Sequence, residues 1–96
     1  MADDKSTHES RLQAKLEESR RQIENLKAEA ENIREEARDD FRGEVEILEG
    51  KHSMLEHDVK VLRETTGEAW ESLRAGIDKS REKLSEGLAR VRREFQ

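Results

Sequence analysis

Cysteine, proline and tyrosine are absent from the 96 residues, and the larger aromatic side chains amount to one Trp and two Phe. Without cysteine the chain can hold no disulfide, no thiolate zinc site and no thiol nucleophile. No stretch is long and apolar enough to span a bilayer, and the opening Met1-Ala-Asp-Asp-Lys-Ser-Thr-His-Glu-Ser10 lacks the hydrophobic run of a secretory signal. The expectation is a soluble, cytoplasmic protein. Leu, Ile, Val and Phe together make up about a fifth of the chain, too little for one compact globular core. A thin seam shared with partner helices is what such a composition can fill.

Charge takes the place of apolar bulk. Asp, Glu, Lys and Arg are 45% of the residues, yet the net charge is only −5 because the signs are mixed. Mixed charge, much Ala, Glu, Lys, Leu and Arg, and apolar residues at helical spacing identify a coiled coil or long helix rather than a disordered chain.

The most regular stretch follows Thr65-Thr66-Gly67-Glu68. The eleven residues from Ala69 to Lys79 align with the eleven from Ser80 to Arg90, matching Glu71 to Glu82, Leu73 to Leu84, Gly76 to Gly87 and Ile77 to Leu88; Val91 to Phe95 begin a third copy. Eleven residues in three turns is close to the natural winding of an α-helix, so each copy presents the same face. At about 100° per residue, Trp70, Leu73, Ile77, Leu84, Leu88, Val91 and Phe95 fall in an arc of roughly 60°. One flank, Ala69, Gly76, Ser80 and Gly87, is small; the other, Arg74, Arg81 and Arg92, is cationic. Glycine inside a helix costs about 1 kcal/mol relative to alanine, so two on one edge point to close approach of another helix.

Upstream, the seam runs Leu12, Leu16, Ser19, Ile23, Leu26, Ala30, Ile33 and Ala37 in heptad steps. Four-residue steps through Phe41 and Val45 make a stutter, and the heptad resumes at Leu48, His52, Leu55, Val59, Leu62 and Thr66. Exposed positions carry i,i+3 and i,i+4 partners such as Glu31 with Arg34 and Glu35 with Arg38, each worth tenths of a kcal/mol.

Two places can fold this rod back on itself. Gly50-Lys51-His52-Ser53 offers a glycine helix stop followed by Ser53 as N-cap and Glu56 to complete a capping box. Thr65-Thr66-Gly67-Glu68 offers Gly67 at positive φ, with Thr65 and Glu68 in the same reciprocal box. An unbroken helix through both remains compatible with the phase of the seam.

Thr66-Gly67-Glu68-Ala69-Trp70-Glu71-Ser72-Leu73-Arg74-Ala75-Gly76-Ile77, and more broadly the whole chain, resembles a widespread family of small bacterial coiled-coil proteins of about this length. In that family a charged heptad segment precedes a Gly-x-Ala-Trp-Glu-x-Leu-x-x-Gly unit, and the region matching Gly50 is plain helix. The resemblance therefore implies a turn at Gly67, a loose association with stress responses, and no chemistry. The chain departs from the family pattern at Ser80-Arg81, where a second Ala-Trp often stands.

The remaining constellations favour structure over chemistry. Glu49-Gly-Lys-His52 has the Glu-x-x-His spacing of di-iron bundles, but Val45, Leu48, Leu55 and Val59 surround it on the seam and supply no further ligand. His52 therefore reads as a polar seam residue that sets register. His52 and His57, five apart, lie roughly 140° apart around one helix and cannot share an ion. A thin rod has no pocket to shift a carboxylate's pKa, so no catalytic residue is assigned, and no cofactor or metal site. Arg90-Val-Arg-Arg93 complements the dipole at a helix C-terminus, which makes nucleic-acid binding an unfavoured reading.

The resulting expectation is an all-α helical hairpin: a disordered tail over residues 1–7, then a single coiled-coil unit over 8–96, with a helix over about 7–64, a turn at Thr65, Thr66 and Gly67, and a helix over about 68–95. The shorter helix covers half of the longer one and docks through the Trp70 to Phe95 seam. The uncovered half needs another chain, so Leu16, Ile23, Leu26, Ile33, Phe41, Leu48, Leu55 and Leu62 form the expected oligomer seam of a dimer to tetramer. The expected function is a non-catalytic homo-oligomeric scaffold or interaction protein, with other helical proteins as further partners. The alternative is a lipid-surface protein that uses the eleven-residue repeats of 69–95 as amphipathic helix. Residues 68–96 carry about +1 and the rest about −6, a mild bias of that end toward anionic surfaces.

Overall fold

The computed structural model describes residues 2–95, and every regular element among them is helical. Helix α1 spans Ala2–Glu29 and passes into a 3₁₀ turn, Ala30–Asn32; α2 spans Glu35–Arg63 and α3 spans Glu68–Phe95. Three helices of 28, 29 and 28 residues make a rod of 52 × 18 × 17 Å. Both α1 and α3 run antiparallel to α2, and therefore parallel to each other. α2 is the central element, since α1 and α3 pack chiefly on it and meet each other little.

The expected helix over 7–64 is thus two helices. Its break falls at Ala30–Arg34, where neither glycine nor proline stands. Ile33 takes extended angles (φ −84°, ψ 143°) and Arg34 does likewise (φ −54°, ψ 141°). Arg38, one turn into α2, stabilises the bend. Its Nε donates to the Ala30 carbonyl at 3.1 Å and its guanidinium reaches the Ile33 carbonyl at 3.1 Å. The Ala30 carbonyl also accepts the Ile33 amide at 3.2 Å, so Arg38 gives it a second donor where the helix ladder stops. Glu35, the expected partner of Arg38, lies instead with Glu36 in the first turn of α2, where the helix dipole favours negative charge.

The second reversal lies where the Gly67 motif puts it. Gly67 has φ 69°, the left-handed region that costs a β-carbon-bearing residue about 1–2 kcal/mol, and its carbonyl accepts the first turn's hydrogen bond from the Trp70 amide at 3.1 Å. The Thr65–Glu68 capping box does not form. The Thr65 hydroxyl turns back and donates to the Val61 carbonyl at 2.7 Å, closing the end of α2 rather than the start of α3. Gly50 and Ser53 lie inside α2, so neither the Gly50 turn nor an unbroken helix describes the chain.

At the start of the chain α1 is helical from Ala2, where a tail over 1–7 was expected; Met1 lies outside the described residues. The Lys5 ammonium donates to the Thr65 carbonyl at 2.7 Å, tying the first turns of α1 to the end of α2. With α1 folded along α2, the seam closes on itself. Leu12, Leu16, Ile23, Leu26 and Ile33 are buried in the same core as Phe41, Leu48, Leu55 and Leu62. The half that a hairpin would have left bare is covered within one chain. A fifth of the residues is thus enough for a core when three helices share one narrow seam.

Candidate functional surface

Of the docking residues on α3, Trp70, Ile77, Leu84, Leu88 and Val91 are buried, and Leu73 and Phe95 are half-buried against the same core. The ring of Phe95 meets that of Phe41 edge-on, with centroids 5.3 Å apart, closing the end of the rod near the 30–34 bend. Close approach on the small flank is real at Gly87, where a β-carbon would lie 2.7 Å from Leu48 Cδ2. At Gly76 the same carbon would meet nothing within 4 Å.

At the opposite end, Trp70 anchors α3 to α1. Its indole Nε1 donates to Glu9 Oε1 at 3.3 Å, and the His8 ring stands edge-on to it at 5.9 Å. The Lys5 ammonium and the Arg74 guanidinium lie 5.8 and 5.9 Å from the ring centre, within reach of its negative face. His8 Nε2 is 3.3 Å from Asp78 Oδ1, close enough for attraction when the ring is protonated but off the line a hydrogen bond needs. Elsewhere α1 is linked to α2 by Lys27 with Glu49, and α3 to α2 by Arg90 with Glu44 at 2.9 Å. Both cations have their pKa raised above the ordinary value, in each case first by the hydrogen bond to the glutamate.

Among the described residues His52 is the one buried polar residue of the core, 5% exposed. Its Nε2 lies 2.8 Å from the Leu16 carbonyl of α1 and its Nδ1 3.2 Å from Glu56 Oε1. The Leu16 carbonyl is an acceptor, so Nε2 carries the proton and donates. The bond to Leu16 fixes one α1 layer against one α2 layer; Glu56, expected to belong to a capping box, adds to it only when Nδ1 is protonated as well. Among the described residues no three His, Cys, Asp or Glu side chains are grouped as a metal site would need, and no helix is long and apolar enough to cross a membrane.

One feature outside the core was not legible from the seam. Ile47, Met54 and Val61 stand on the outer face of α2, respectively 55%, 68% and 40% exposed, and among the described residues they are the large apolar side chains left in solvent. Successive members are seven residues apart, so they form a single stripe along the helix. Gly43 and Gly50 lie on the same stripe, and a β-carbon on either would meet nothing within 4 Å. Beside the stripe runs a shallow groove between α2 and α3, lined by Lys51, Met54, Leu55, Asp58, Ser80 and Lys83. The signal was present in the sequence as a second heptad on α2, out of phase with the first, but the stronger seam masked it.

No family model, curated protein or solved structure matches this chain.

Proposed function

We propose that this protein is a non-catalytic helical scaffold that works by assembling with copies of itself. The observation that carries this reading is the exposed stripe of Ile47, Met54 and Val61 on α2. A single exposed aliphatic residue is ordinary on a soluble protein, whereas apolar residues aligned along one helix face mark a contact surface. The seam expected to join chains is consumed inside each one, so assembly takes place between finished bundles instead of through shared helices. The resemblance to small bacterial coiled-coil proteins adds a stress-associated setting to the proposal. Sedimentation equilibrium over a concentration series tests it: the expected outcome is a mass that rises with concentration, and a monomer throughout would sink it.

The lipid-surface reading is weaker on this geometry. The apolar face of the eleven-residue repeats is turned onto α2, so α3 would have to leave the bundle and expose Trp70 and Leu84 before it could lie in a membrane. Circular dichroism separates the two, because a bundle is fully helical in buffer whereas a lipid binder changes its signal on meeting anionic vesicles.

A further inference from the structure

Taking self-assembly as its basis, we propose that the outer face of α2 seats the α2 of a second copy, antiparallel, about a two-fold axis near Met54. The argument begins with two glycines that the fold does not use. Gly43 and Gly50 lie inside a helix, where each costs stability, yet nothing in the chain approaches them. They leave the stripe low on either side of Ile47, so that a helix backbone from outside can come close.

The charges flanking the stripe identify the visitor. Lys51 and Asp58 lie on the side toward α3, three residues before and four after Met54, and both line the groove beside the stripe. Neither has an ion-pair partner within the described residues. When two antiparallel helices meet on one stripe, each flank faces the same flank of its neighbour. A two-fold axis at Met54 therefore brings Lys51 against Asp58 of the other copy, a pair that occurs twice. The pattern is self-complementary, as a two-fold contact requires of one surface used by both partners. The same register sets Ile47 against Val61 of the other copy and places the two Met54 side chains together beside the α2–α3 groove.

Area sets the strength. The stripe from Gly43 to Val61 is about 27 Å long, and one helix face of that length buries on the order of 300 Å² per copy, less than half of what a standard stable interface buries. The dimer is accordingly weak and reversible, with a dissociation constant in the micromolar range or above.

Sedimentation equilibrium on the full chain, from micromolar to near-millimolar concentration, tests the arrangement with four proteins. The parent should dimerise. Met54→Ser should weaken the dimer, and Lys51→Glu, which puts like charges together twice, should raise the dissociation constant about tenfold. Lys51→Glu combined with Asp58→Lys should bring it back to near the parent value, because the reversed pairs attract again. All three positions of change, Lys51, Met54 and Asp58, lie outside the core, so circular dichroism should show the same helix content throughout. Dimerisation unaffected by Met54→Ser and Lys51→Glu would overturn this surface while leaving self-assembly in place. Failure of the double variant to recover would overturn the antiparallel register. A parent that stays monomeric would remove both, and Met54-dependent co-sedimentation of that monomer with anionic phospholipid vesicles would give the face to a membrane instead.

Discussion

Gly87 and Gly76 occupy equivalent places in successive eleven-residue units, yet substitution should move them in opposite directions. Alanine gains about 1 kcal/mol over glycine inside a helix. At Gly76 nothing opposes that gain, so Gly76→Ala should raise the melting temperature. At Gly87 the new carbon meets the buried Leu48, and overpacking of about 1–3 kcal/mol outweighs the gain, so Gly87→Ala should lose up to about 2 kcal/mol. Urea melts of the two variants check the difference in sign. His52 gives a second contrast. The Leu16 carbonyl already belongs to the α1 hydrogen-bond ladder, and Glu56 is about half-exposed, so His52→Leu leaves neither acceptor stranded. Stability should change by less than about 1 kcal/mol; a larger loss would mean that the imidazole cross-link holds α1 in place. The polar seam role of His52 was readable from its position alone. Its partner was not, because a backbone carbonyl 36 residues away leaves no mark in the sequence.

Among the elements, the turn at Gly67 was legible and the bend at Ala30–Arg34 was not. Gly67 announces itself because few other residues tolerate φ 69°. Gly67→Ala should therefore cost about 1–2 kcal/mol and lower the melting temperature by roughly 5–10 °C, whereas Gly50→Ala, inside α2 with open space around it, should raise it. The bend is held by extended angles at ordinary residues and by Arg38, seven residues downstream of Glu31. The seam keeps its phase on both sides of it, so periodicity could not reveal it. Weaker marks were there: Lys27 in the last turn of α1, Asn32, then Glu35 and Glu36 in the first turn of α2, a cation-to-anion switch that fits one helix ending and another beginning. Arg38→Ala should cost about 1–2 kcal/mol in a urea melt, and Arg38→Lys should recover little of it, since only the planar fork of arginine reaches two carbonyls at once.

At the scale of the whole molecule, helical content and a single narrow seam followed from composition and spacing, while the count of helices depended on one weakly marked bend. Trp70 reports directly on the closed arrangement. It is 8% exposed against the first turns of α1, so its emission in dilute buffer should be blue-shifted, and emission like that of free indole would mean that α3 is undocked. The parallel course of α1 and α3 has a mechanical consequence. It places Ala2 and Phe95 at opposite poles of a rod 52 Å long. Tension applied through those two poles runs along the helix axes and tries to slide α1 and α3 past α2. Every layer of the seam then resists at once, from Leu12 to Val91, whereas a load across the rod would peel the layers apart singly. The bundle is built as a strut that is stiffest along the line joining its own ends.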